Sequence, residues 1–148
     1  MAMRSPTKRN KPRHIEDLEQ QALFNWANLY KLPSGEYLSD YLFAIPNGGN
    51  RNAREAARLK GQGVKAGVSD MFLPIPSNGS HGLWIELKAP RKYRSSVSDS
   101  QDIWLKRMVL SGYESVVAYG WLEAKHLILE YLRQDPFIQP IGRYQSDR

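Results

Sequence analysis

The chain has 148 residues, of which 41% are hydrophobic, 11% aromatic and 24% charged, with a net charge of +6. This size suits about one domain, and the composition is that of a globular protein rather than a disordered one. The absence of cysteine excludes disulfides, zinc–thiolate sites and a cysteine nucleophile, and fits a reducing, intracellular environment.

The positive charge suggests a polyanionic partner, although an ordinary basic protein would carry it too. Residues 1–14 hold five basic residues and two prolines without apolar periodicity, so we predict a flexible basic arm. An incidental solvated tail and a nucleic-acid-binding arm explain this segment equally well. The arm lacks the apolar segment of a secretory signal, and no apolar run approaches ~18 residues. We therefore expect neither a signal peptide nor a membrane span.

The first half of the chain predicts two helices and a strand. Apolar residues recur at steps of three and four over residues 15–29, which is typical of an amphipathic helix ending near Pro33. Residues 41–45 form a short apolar strand followed by turn residues. The composition of residues 53–60 predicts a second helix, with Gly61 at a suitable position to end it.

The second half predicts a hairpin, a helix, a strand and a final helix. The strands at residues 71–75 and 83–87 are joined by residues typical of turns, as in a hairpin. Helical periodicity follows at residues 103–110, a strand at 116–119 and a helix at 122–133. The order of elements predicts an α/β fold with a central sheet flanked by helices.

The hairpin carries an unusual set of charges. Side chains alternate along a strand, so Glu86 and Lys88 share one face while Ile85 and Leu87 point into the opposite layer. The antiparallel return brings Asp70 towards Glu86, and two close carboxylates repel unless a cation neutralises them. Carboxylate oxygens with a backbone carbonyl, such as that of Leu87, suit Mg2+ or Mn2+. Lys88 would then orient or deprotonate a water and stabilise a phosphate's charge.

These charges also have an ordinary interpretation, as an ion pair on a solvated strand face, because so short a motif is common. Two observations favour a site. The apolar flanks place the hairpin centrally, where buried charge is expensive, and basic residues cluster nearby as a phosphate backbone requires. A solvated helix face explains part of that cluster equally well. The predicted DNA-contacting residues are Asn47, Arg51, Arg54, Arg58, Lys65, Arg91, Lys92 and Arg94.

Other candidate residues are weaker. Trp84 alternates onto the face of Glu86, so it either borders the site, stacking near substrate, or is partly buried. Ser98 and Ser100 have no paired general base nearby, which argues against serine hydrolase chemistry. The three histidines show no metal-binding spacing.

The charged residues of the hairpin also carry a family resemblance. Asp70 followed by Glu86-Leu87-Lys88 resembles the Asp…(Asp/Glu)-x-Lys signature of the PD-(D/E)xK nuclease superfamily, with Ser69 in place of the eponymous proline. That departure leaves the chemistry intact, because the proline of the signature takes no part in the reaction.

Longer stretches resemble the stand-alone, virus-type VRR-NUC nucleases. They are AIPNGG at residues 44–49, LKGQGVKAGVSD at residues 59–70, and Ser100-Gln101 at the opening of a helix. The resemblance runs from about Glu16 to Leu132. It implies a restriction-endonuclease-like core with a mixed sheet, in a nuclease domain spanning residues 15–134 followed by a C-terminal tail at 135–148.

The resemblance also implies an activity. Related nucleases use Mg2+ or Mn2+ to hydrolyse DNA phosphodiesters by in-line attack of water, leaving a 5′ phosphate and a 3′ hydroxyl. It further implies a homodimer that cleaves branched DNA such as Holliday junctions, in the cytoplasm of a bacterial host if the gene is viral.

Residue roles follow from the same resemblance. Lys88 would be the catalytic lysine, and Gln101 would support Lys88 or the water unless it only packs at the start of its helix. Glu19 competes with Glu16 as the carboxylate from the first helix, and either one could instead be an exposed helix residue. The implied metal ligands are Glu16, Asp70, Glu86 and the Leu87 carbonyl, with Glu16 acting directly or through water.

Two other functions remain open. A non-catalytic DNA-binding protein on the same fold would keep the basic face but would not need three converging charges. A sequence-specific restriction-type endonuclease would need additional elements to read bases in the major groove.

Overall fold

The computed structural model describes residues 12–46 and 52–133, and its strands form one mixed sheet. In spatial order these are β1 (Phe43–Ala44), β2 (Met71–Leu73), β3 (Leu83–Lys88) and β4 (Glu114–Tyr119). β1 pairs antiparallel with β2, β2 antiparallel with β3, and β3 parallel with β4. The predicted hairpin is therefore present, and its second strand is central in the sheet.

Helices pack on both faces of this sheet, as predicted. The α-helices of the described chain are α1 (Pro12–Ala27), α2 (Ala53–Gly61), α3 (Asp99–Leu110) and α4 (Trp121–Leu132), and those that pack on the sheet are α1, α3 and α4. The core contains Leu23 of α1 and Ile128 of α4 with Ile85 and Leu87 of β3. α3 covers the opposite face, where Gln101 and Trp104 meet side chains of β3. In the described part of the chain, no helix is both long and apolar enough to span a membrane.

Several element boundaries differ from those predicted. α1 starts at Pro12 rather than at residue 15, because proline suits the first turn of a helix. It ends at Ala27 rather than near Pro33, since the chain turns back and Lys31 pairs with Tyr37 in a β-bridge. Leu29, which the periodicity placed on the apolar stripe, is consequently 81% exposed.

β1 is shorter than predicted, and α2 is an exposed helix. Only Phe43 and Ala44 pair with β2, and both are exposed because β1 lies at the edge of the sheet. None of the residues of α2 is buried.

The hairpin turn has a local explanation. Asn78 and Gly79 have φ angles of 45° and 82°, the left-handed conformations that a two-residue hairpin turn of type I′ requires. Ser77 and Ser80 pair across it, and Ser77 Oγ donates a hydrogen bond to the Tyr131 carbonyl at 2.6 Å. The turn is thereby anchored to the end of α4.

A glycine brings the loop before β2 against the start of α3. Gly67 has a φ of +85°, and a Cβ added there would lie 2.4 Å from the Ser100 carbonyl oxygen. Both the backbone conformation and the close approach therefore require glycine. This contact fixes the position of Asp70, three residues later, relative to Gln101.

We expect Gly67→Ala to lower stability by more than the roughly 1–2 kcal/mol that a left-handed backbone costs an L-residue, because the methyl group also displaces Ser100. The matched control is Gly63→Ala, since Gly63 has a similar φ of +96° with nothing within 4 Å of an added Cβ. Denaturant unfolding of both variants measures the difference. Equal losses would contradict a role for the close contact.

Candidate functional site

The hairpin brings two carboxylates together at one end of the sheet. Met71 pairs with Ile85, so Asp70, one residue earlier, lies opposite Glu86. The backbone N–H of Leu87 donates to Asp70 Oδ2 at 2.7 Å. The predicted approach of Asp70 to Glu86 is confirmed.

Glu86 and Lys88 are buried, which rules out a solvated strand face. Glu86 is 1% exposed and Lys88 is 7% exposed. Lys88 Nζ lies 3.6 Å from Glu86 Oε1, within ion-pair range. The two side chains share the face of β3 that α3 covers, as strand alternation predicted.

Gln101 connects both charges to the start of α3. Its Oε1 accepts a hydrogen bond from Lys88 Nζ at 3.0 Å, and its Nε2 donates to Glu86 Oε1 at 2.7 Å. Gln101 also forms a capping box with Ser98, accepting from the Ser98 backbone N–H at 2.9 Å. The sequence left two roles for Gln101 open, support of Lys88 and packing at the start of the helix. The structure shows the contact with Lys88 and the contact with the start of α3 together. The helix cap thus fixes the amide that holds Glu86 and Lys88.

The carboxylates have an excess of negative charge. Burial, followed by the charge of Asp70, raises the pKa of Glu86 to about 9, although Lys88 acts in the opposite direction. Burial also raises the pKa of Asp70. With both carboxyls ionised, none of the described residues donates a hydrogen bond to Glu86 Oε2, and Asp70 and Glu86 can share a hydrogen bond only when one of them carries a proton. Without further positive charge, protonation is the remaining way to relieve this pair.

Glu16 and Glu19 have separate environments. Glu16 Oε1 accepts a long hydrogen bond, 3.4 Å, from the Ala89 backbone N–H at the end of β3. Burial raises the pKa of Glu16; the charge of Lys88 acts to lower this pKa, and the charge of Asp70 acts to raise it. Glu19 Oε2 instead accepts from the Trp121 backbone N–H at 2.7 Å. Glu16 therefore faces the charged site, whereas Glu19 caps α4.

The site fits a hard divalent cation. Within residues 12–46 and 52–133, no three histidine, aspartate or glutamate side chains converge as a complete metal site. The predicted ligands, however, include a backbone carbonyl, and Mg2+ commonly keeps several waters beside one or two carboxylates. Glu86 Oε2, which has no donor when both carboxyls are ionised, is the kind of oxygen that such a cation binds.

The predicted DNA-contacting residues differ in their exposure and in the contacts that they already make within the protein. Arg54, Arg58 and Lys65 are exposed on α2 and the loop after it, and Arg58 lies 3.8 Å from Glu55. Arg91 is engaged, because it donates to Glu123 Oε1 at 2.9 Å. Its guanidinium also lies 4.3 Å from the Tyr119 ring centroid. Lys92 and Arg94 are exposed, whereas Asn47 and Arg51 lie outside the described residues.

The sequence did not reveal two residues that support the site. The sequence indicates a metal ligand or an exposed helix residue at Glu19 but not a cap, because the backbone N–H that it caps lies 102 positions away and leaves no local signal. For Ser98, the lack of a paired general base argues against a nucleophile, and we predicted no other role for it. Its spacing from Gln101 is a capping-box pattern and would have identified it.

Comparison with known proteins assigns the family. The model of the VRR-NUC domain matches residues 7–121. The chain belongs to the VRR-NUC family. The solved structure of a VRR_NUC domain protein superposes with a TM-score of 0.71 at 31% sequence identity, covering 84% of this chain and 96% of that chain. A search of curated proteins gives no significant match.

Membership of the VRR-NUC family implies a nuclease-type function in DNA processing. The solved structure also confirms the predicted α/β fold. The charged site, formed by residues at β2, β3 and α3, lies within the segment that matches the family model.

Glu19 should stabilise this VRR-NUC domain as a helix cap. Gly120 precedes α4 and has no side chain to cap it, so we expect Glu19→Ala to cost about 0.5–2 kcal/mol of unfolding free energy. Glu19→Gln keeps an acceptor oxygen and should recover most of the loss. Glu16→Ala is the matched control on the same helix, and it should cost less because its backbone contact is longer. A larger loss for Glu16→Ala would reverse the two assignments.

Glu86 should give the metal-free VRR-NUC domain a pH-dependent stability. Because the pKa of Glu86 rises from 4.5 to about 9 on folding, the stabilisation from its bound proton is complete below pH 4.5. It is then lost as the pH rises towards 9. Glu86→Gln removes this dependence, so the variant should become progressively more stable than the wild type between these values. Unfolding in chelator across this pH range measures the difference.

Glu55→Gln, on exposed α2, controls for the loss of a carboxylate as such. Added Mg2+ should narrow the gap between Glu86→Gln and the wild type, because only the wild type keeps both carboxylates. Parallel stability curves for Glu86→Gln and the wild type would contradict a buried, proton-binding Glu86.

Proposed function

We propose that the protein is a metal-dependent endonuclease that hydrolyses DNA phosphodiester bonds inside the cell. Asp70, Glu86 and the Leu87 carbonyl would hold Mg2+ or Mn2+, with Glu16 contributing directly or through water. Lys88 and Gln101 would complete the catalytic set. This is more specific than the nuclease-type function implied by the family.

The observation that carries this proposal is the buried, under-neutralised carboxylate pair. Glu86 is 1% exposed, lies opposite Asp70 and, when both carboxyls are ionised, has an oxygen without a donor among the described residues. An isolated buried carboxylate is expensive unless it is paired, and Lys88 is shared with Gln101. A divalent cation would neutralise the excess charge. A purely structural ion pair would not need the second carboxylate.

When bound, the cation would supply Lewis acidity to a phosphodiester and favour ionised water. The protein's own groups define where that chemistry takes place. Asp70 is held in place by the Leu87 N–H, and Glu86 by Gln101. Both carboxylates are therefore oriented before any ligand arrives, which reduces the reorganisation needed in the reaction.

Lys88 is placed to act on the reacting phosphate. Its ammonium has three donors, of which Gln101 Oε1 accepts one, with Glu86 Oε1 3.6 Å away. A remaining N–H can donate to a phosphate oxygen or to a water. That interaction strengthens as negative charge develops on the phosphate in the transition state.

We further propose that the substrate is branched DNA and that a homodimer binds it. The exposed cations Arg54, Arg58 and Lys65 support contact with phosphates, which positions DNA without reading its sequence. A two-fold symmetric dimer would present two such sites to two of the four strands of a four-way junction. Cleavage of four-way junctions, flaps and plain duplex, with light scattering for the mass in solution, tests this extension separately.

We expect Mg2+- or Mn2+-dependent cleavage that chelator abolishes. Glu86→Gln and Lys88→Ala should each lower the cleavage rate by at least about 100-fold, the effect of losing one transition-state donor or ligand. Both variants should still bind DNA, because the exposed cations remain. Single-turnover cleavage and DNA binding in chelator measure the two properties.

Lys31→Ala is the matched control, since it removes one positive charge from an exposed residue whose described side-chain contact is with the Tyr37 ring. It should cleave like the wild type. Undiminished cleavage by both Glu86→Gln and Lys88→Ala would contradict the proposed site. Binding without any metal-dependent cleavage by the wild type would favour a non-catalytic DNA-binding protein.

A further inference from the structure

A row of aromatic side chains lies beside the carboxylates on the sheet face that α3 covers. Phe43, Phe72 and Trp84 occupy paired positions on β1, β2 and β3. Phe72 stacks on Trp84 with ring centroids 4.3 Å apart, and Phe43 meets Phe72 edge to face at 5.9 Å. Trp104 covers Trp84 from α3 at 5.2 Å, whereas Phe43 is 45% exposed. The row therefore ends in an open ring.

The open ring is close to the charged site. Asp70 precedes Phe72 by two residues, and the Asp70 carbonyl accepts a hydrogen bond from Ile45 N at 2.7 Å. Residues two apart along a strand are separated by about 7 Å and adjacent strands by about 5 Å, so the Phe43 backbone lies roughly 9 Å from that of Asp70. Both side chains are on the same face. A nucleotide whose phosphate lies at the carboxylates would therefore have its base within reach of Phe43.

The charge of the β1–β2 connection favours a nucleic acid over an apolar peptide. This connection runs from the end of β1 at Ala44 to the start of β2 at Met71, and it carries exposed Arg54, Arg58 and Lys65. Exposed basic residues and an exposed aromatic ring are together the combination that binds unpaired DNA, through the phosphates and through stacking on the bases.

We propose that Phe43 is a stacking platform for an unpaired DNA base next to the phosphodiester held at Asp70, Glu86 and Lys88. Within a duplex both faces of a base are covered by its neighbours, so a ring can stack only on a base that has left the helix. Phe43 would thereby favour DNA with unpaired nucleotides over continuous duplex. This inference deepens the proposed function and rests on it for the position of the scissile bond.

Three variants of the full-length chain separate stacking from packing. Phe43→Leu keeps an apolar side chain but removes the aromatic face, whereas Phe43→Tyr keeps the ring and should behave like the wild type. Leu29→Ala is the control, because Leu29 is 81% exposed and follows α1, away from this face. Thermal unfolding and light scattering establish that all three proteins are folded and have the wild-type mass.

Binding is measured in chelator with two DNAs that differ at one unpaired position, which carries either 2-aminopurine or an abasic sugar. The wild type should bind the first at least about fivefold more tightly, the lower end of base–aromatic stacking, and should quench its fluorescence. Phe43→Leu should lose most of this preference and the quenching. On the abasic DNA the variant and the wild type should bind alike, because no base is present to stack.

Equal losses by Phe43→Leu on both DNAs, or no loss on either, would overturn the proposal. A changed mass for Phe43→Leu would also overturn it, by showing that the ring contacts a second copy. Cleavage with Mg2+ or Mn2+ is measured separately. If the wild type does not cleave while the base preference still depends on the ring, the proposed catalysis fails and stacking by Phe43 stands.

Discussion

The buried carboxylate of Glu86 is the constraint on which the rest of the site depends. It lies in the central strand with 1% of its surface exposed, in ion-pair range of Lys88 and hydrogen-bonded to Gln101. Placing ionised groups in such an environment is unfavourable unless each has partners. Asp70 adds a second negative charge and increases the demand for a cation. A stable fold alone would be served better by apolar residues, so the arrangement indicates function.

Three long-range contacts bring the necessary groups to that carboxylate. The β2–β3 register positions Asp70, and the close approach of Gly67 to Ser100 sets the start of α3 and thus Gln101. The cap that Glu19 provides for α4 joins α1 to the chain just beyond β4. Since Glu16 lies on the same helix, that cap also holds Glu16 beside the end of β3. The site is therefore mounted on rigid elements rather than on a loop.

The two faces of the sheet carry different kinds of side chain. Ile85 and Leu87 join the apolar core under α1 and α4, while the alternate residues of the same strand carry the charged and aromatic groups. The core face supplies the burial that stabilises β3. The other face ends in the open ring of Phe43 on β1, the strand that precedes the connection with exposed basic residues. Such separation allows one short strand both to support the fold and to present chemistry.

The sequence by itself determined the local elements and the alternation within them. The order of helices and strands, the hairpin, and the shared face of Glu86 and Lys88 all follow from periodicities that span a few residues. The tertiary structure decided that Glu16 faces the charged site while Glu19 caps α4, that Gln101 joins both charges, and that Phe43 remains open. Each of these depends on partners far away in the chain, as the 102 residues between Glu19 and Trp121 illustrate. Local patterns specify which face a side chain occupies, but only packing specifies what it meets there.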